Sequence, residues 1–88
     1  MNITDALTND IKILTNPLKQ EEELITILKK RLTKKEFKLY TMRYENISKE
    51  DICDELKLQQ NRYDDMLITI LKKLNYEKLK SELTQKEQ

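Results

Sequence analysis

The sequence predicts a small all-α domain of five to six helices, and three observations carry that prediction. The chain of 88 residues contains no glycine, where an average usage of about 7% would supply about six. Without glycine, hairpins with primed turns are hard to build. The chain is also rich in Leu, Lys, Glu, Ile and Gln, most of them good helix formers. Finally, its apolar residues recur at steps of three and four over most of its length, the spacing of one buried helical face.

The elements follow in order. Ile3, Leu7, Ile11 and Leu14 form one apolar stripe, so a first helix is expected from Ile3 to Leu14. Asn16 before Pro17 reads as an N-cap with proline at the first helical position, where its missing N–H costs nothing. A second helix is therefore expected over Pro17 to Arg31, with Leu18, Leu24, Ile25, Leu28 and Leu32 inward. Glu21, Glu22 and Glu23 sit in its opening turns and Lys29, Lys30 and Arg31 in its last, both favourable to the helix dipole. Thr33 and Glu36 have capping-box spacing and open a third helix to about Tyr44, with Phe37, Tyr40 and Met42 or Tyr44 as its larger side chains. Ser48 caps a short fourth helix, Lys49 to Leu56, which buries Ile52, Cys53 and Leu56 and is stapled by Ile47. After a break at Lys57, Leu58 and Gln59, a fifth helix runs from Gln60 to Leu74. Its Tyr63, Leu67, Ile70 and Leu74 repeat at steps of four, three and four. It continues, or kinks near Asn75, toward Leu79 and Leu83. The expected core of this half is Ile52, Cys53, Leu56, Leu58, Tyr63, Leu67, Ile70, Leu71 and Leu74.

Two helices ahead of a longer amphipathic one is the order in which a helix-turn-helix protein presents its recognition helix to a major groove. The chain therefore divides into a two-helix extension over residues 1–31, for capping or dimerisation, a helix-turn-helix module over 32–84, and a frayed tail over 85–88.

Composition removes several functions. Absent glycine excludes phosphate loops and dinucleotide-binding turns, which need backbone without a Cβ. Absent histidine removes the commonest general base and metal ligand. Cys53, the single cysteine, has nothing to activate it and reads as a small buried hydrophobe. No enzyme activity, metal or cofactor is expected. A lone cysteine, a polar start and no long apolar run point to a cytoplasmic protein without a membrane span.

Several of these residues also share a longer pattern: Leu32-Thr-Lys-Lys-Glu36, Tyr40, Arg43-Tyr44, Ser48-Lys-Glu-Asp-Ile52-Cys53-Asp-Glu-Leu56-Lys-Leu58, Tyr63 and Leu71-Lys-Lys-Leu74. It resembles the promoter-reading C-terminal domain of bacterial sigma factors (region four) and the related tails of phage late-gene activators, over roughly half the chain. The resemblance implies a DNA-binding transcription regulator whose recognition helix is 60–74. Lys57 stands where that family usually has glycine, so a residue with a Cβ must take a left-handed or altered turn.

On the expected recognition helix, Gln59, Gln60 and Asn61 could bond adenine bidentately, and Arg62 could read guanine or hold a phosphate. Asp64 and Asp65 follow on the same face, where phosphates repel them. Lys29, Lys30, Arg31, Lys34, Lys35 and Lys38, with Lys72 and Lys73, are the candidate phosphate contacts. Charge is unevenly spread: residues 29–43 hold seven basic residues and one acid, a net of +6, and residues 44–66 three basic residues and seven acids, a net of −4. The whole chain carries only +1, far from the basic balance of a self-sufficient DNA binder. Two functions stay open. One is a regulator bound to double-stranded DNA, as a homodimer because one near-neutral module binds weakly. The other is an adaptor of the same fold that docks on RNA polymerase or another regulator, with little DNA affinity of its own.

Overall fold

A computed structural model describes residues 2–12 and 16–85. Among them are six helices and no strand: α1 (Ile3–Asp10), α2 (Glu21–Arg31), α3 (Lys34–Tyr44), α4 (Lys49–Leu56), α5 (Gln60–Leu74) and α6 (Glu77–Leu83). The all-α class is as the sequence predicts.

Two expected boundaries are corrected, both by contacts from distant parts of the chain. Helix α1 stops at Asp10, and Ile11 is extended; Leu14 lies outside the described residues. Asn75 accounts for the stop. Its side-chain amide donates to the Asp10 carbonyl at 3.0 Å and its oxygen accepts from the Lys12 N–H at 2.7 Å. Helix α2 starts at Glu21 rather than Pro17. Residues 17–19 instead run antiparallel to 83–85, with an isolated bridge between Leu18 and Thr84. The Lys19 N–H donates to the Leu83 carbonyl and the Gln85 N–H to the Pro17 carbonyl, at 2.9 and 2.8 Å. Proline fits this segment because its missing N–H leaves no donor unpaired.

The middle of the chain follows local rules. The Thr33 hydroxyl accepts from the Glu36 N–H and the Glu36 carboxylate from the Thr33 N–H, a complete capping box. Ser48 caps α4 through the Asp51 N–H at 3.1 Å. Lys57 closes α4 at φ 56° and ψ 49°, so of the two expected alternatives, a left-handed or an altered turn, it takes the left-handed one. That conformation costs a residue with a Cβ about 1–2 kcal/mol. Lys57→Gly is accordingly expected to raise stability by about 0.5–1 kcal/mol, after the added freedom of the unfolded chain is counted. A urea midpoint that moves down instead would mean that the Lys57 side chain stabilises the turn.

All six helices feed one core. Ile3, Ala6, Leu7, Leu24 and Leu28 bring the apolar stripes of α1 and α2 into it, beside Leu39, Tyr40, Ile52, Ile70, Leu74 and Leu83. Leu39, fully buried, was not among the expected core residues. Leu58, Leu67 and Leu71 were, yet they are only partly buried. Tyr63, Ile70 and Leu74 take the centre of the α5 face; Leu67 and Leu71 lie at its margins, and Leu58 sits in the turn before the helix.

Candidate nucleic-acid interface

Helices α3, α4 and α5 pack mutually, and the turn at Lys57 leaves the start of α5 projecting from them. Gln59, Gln60, Asn61 and Arg62 are all exposed there, whereas Tyr63 turns inward. Gln59 occupies the N-cap without a side-chain hydrogen bond to the helix, so its amide is not consumed in capping. Asp64 and Asp65 are exposed too. Asp64 Oδ1 accepts from Lys49 Nζ at 2.8 Å, and the same ammonium lies 5.3 Å from the Tyr63 ring centre. This ties α4 to α5 and blunts one of the two charges. Asp65 has no ion pair among the described residues; with Glu36, Arg62, Met66 and Thr69 it lines a shallow depression of about 200 Å³.

The candidate phosphate contacts separate into groups. Lys30, Lys34, Lys35 and Lys38 are exposed and hold no ion pair among the described residues. Lys29 lies 5.7 Å from the centre of the Phe37 ring. Arg31 forms a two-pronged pair with Glu82 of α6. Lys73 reaches back to Glu36, with Nζ at 2.7 Å from Oε1, which anchors the end of α5 to the start of α3. Lys72 is exposed and meets Arg31, Lys73, Tyr76 and Leu79 around an open cleft of about 370 Å³. The two residues with the most exposed large apolar side chains, Ile68 and Tyr76, were not singled out from the sequence. The signal for Ile68 was available: it lies opposite the stripe of Tyr63, Leu67, Ile70 and Leu74.

Glu36 is the buried charged residue of this region. Burial alone would raise its pKa, but hydrogen bonds from Lys73 and from the Thr33 N–H, with the Lys73 charge, hold it below the usual carboxylate value. It stays ionised at neutral pH and serves as cap and anchor at once.

The acidic side of the surface is equally defined. Glu50, Asp51, Asp54 and Glu55 of α4 are all exposed. No group of side chains suited to holding a metal ion occurs among the described residues, and no helix there is long and apolar enough to cross a membrane. Comparison with protein-family models, curated proteins and solved structures finds no match for this chain. The surface chemistry must therefore carry the functional reading.

Proposed function

We propose that the chain is a DNA-binding transcription regulator of helix-turn-helix, sigma region four-like type that sets α5 into a major groove. The observation that supports this is the start of α5: three amides and a guanidinium, Gln59 to Arg62, stand exposed beyond a tight left-handed turn. Amides and arginine are the side chains that read adenine and guanine edges bidentately. Lys34, Lys35 and Lys38, without ion pairs among the described residues, supply backbone contacts at the flank. Asp65 opposes binding.

In this reading, changing Asp64 and Asp65 together to Asn raises affinity for duplex DNA, and the gain shrinks with added salt as repulsion is screened. Lys34→Ala with Lys35→Ala weakens binding to every sequence alike and flattens the salt slope by up to about two units. Fluorescence anisotropy with mixed duplexes at two salt concentrations measures both. Binding indifferent to Arg62 and to the aspartates would remove α5 as the reading helix.

The exposed acids of α4 favour a second reading, an adaptor that docks on a basic surface of RNA polymerase or another regulator. The aspartate variant then loses capture of the basic partner, and DNA affinity stays negligible. The two readings give opposite signs for one variant.

A further inference from the structure

The outward line of α5 is self-complementary. At about 100° per residue, Asn61, Asp65, Ile68 and Lys72 fall on one line roughly opposite the buried Tyr63, Ile70 and Leu74. All four are exposed, Ile68 by 53%. Along this line the order is acid, large apolar side chain, base. Asp65 and Lys72 hold no ion pair among the described residues, so both charges are available.

We infer that two copies of the chain pair through this face, α5 against α5, antiparallel and centred near Ile68. A two-fold axis there sets Asp65 of each copy against Lys72 of the other, with the two Ile68 side chains between them, as an isologous contact requires. The parallel alternative puts Asp65 against Asp65 and Lys72 against Lys72 and is repelled. Tyr76, 64% exposed and beside Lys72 in the same cleft, adds apolar surface at each end of the pair. The apolar stripes of α1 and α2 lie in the core, so the pairing does not use the N-terminal helices. One helix face covers less than the roughly 1,200 Å² total that stable interfaces bury. The dimer is therefore weak and reversible. It also covers residues that the proposed DNA reading needs, so pairing and duplex binding compete; the pairing itself does not depend on that reading.

Sedimentation equilibrium of the full chain, up to about 1 mM protein and at low ionic strength, tests the inference without DNA. The unmodified chain is expected to dimerise reversibly, and more weakly as salt is added. Lys72→Asp or Asp65→Lys alone should weaken association about tenfold, since symmetry turns two attractions into two repulsions. Combining them restores opposite charges, and association should return to within about threefold of the unmodified chain. Ile68→Asp should leave a monomer. All three positions are exposed, and far-ultraviolet circular dichroism checks that each variant keeps its helices. A chain that stays monomeric throughout, single reversals without effect, or a double reversal as weak as the singles would overturn the inference. Because the readout is mass, its failure leaves the DNA titration untouched, and the converse holds.

Discussion

Tyr40→Ala is expected to lower the free energy of unfolding by about 3–5 kcal/mol. A domain of 88 residues has a total stability of about 4–13 kcal/mol, so the variant sits near the edge of folding. The Tyr40 ring is fully buried and meets Tyr44 edge-on at 6.0 Å between centres. Its hydroxyl donates to Asp10 Oδ2 at 2.8 Å, and Arg43 Nη1 approaches the same oxygen at 3.3 Å. Removing the ring opens a cavity and leaves Asp10, whose side chain is largely covered, with Arg43 alone. Tyr40→Phe keeps the volume and should cost only about 1–2 kcal/mol. Burial first, and the Asp10 hydrogen bond and charge next, push the phenol far above its ordinary pKa. A raised pKa in the folded state contributes stability that is complete below the unfolded value, about 10, and is lost as pH rises beyond it. Urea unfolding between pH 7 and 11 should show that loss, and Tyr40→Phe should reduce the slope. An equal slope in both proteins would mean that Tyr40 is not the group responsible.

Glu36→Ala is expected to cost about 1–3 kcal/mol, through the lost cap at α3 and the lost anchor for Lys73. Lys73→Ala should cost less, because the lysine side chain is 37% exposed against 8% for its partner. The sign of the pH effect follows from the depressed pKa of Glu36. Its contribution is present above the unfolded carboxylate value and disappears as pH falls through the lower, folded one. Chemical unfolding from pH 7 down to pH 3 should therefore show a decline beginning below about pH 5, and Glu36→Gln should remove part of it. A decline of undiminished size in that variant would assign the acid sensitivity to other carboxylates.

Elements set by neighbours within four residues were legible in the sequence. The Thr33/Glu36 box and the Ser48 cap stand where side-chain spacing puts them, since capping is satisfied inside one turn; α5 starts at the expected residue without a side-chain cap. The turn at Lys57 was anticipated through the resemblance alone, which implies glycine at that position; the three residues between α4 and α5 carry no local signal of their own for it. The exposure of Asn61 and Arg62 followed from the period of Tyr63, Ile70 and Leu74, as the outward line through Ile68 could have.

What tertiary structure alone decided lies where partners are distant in sequence. Asn75 ends α1 from 65 residues away, and no local signal near Asp10 announces it. Residues 17–19 surrendered an expected helical start because the 83–85 backbone offered hydrogen bonds and buried Leu83 beside Leu18. Lys73 and Arg31 have the composition of phosphate ligands, but the fold brings Glu36 and Glu82 within reach of them. Of the candidate contacts, Lys29, Lys30, Lys34, Lys35, Lys38 and Lys72 hold no ion pair among the described residues, and Lys29 lies over the Phe37 ring. Helical periodicity specifies which face turns inward, because burial of apolar surface is non-directional. Which charges are neutralised, and where a helix yields to another segment, depends on directional contacts that exist only once the chain has folded.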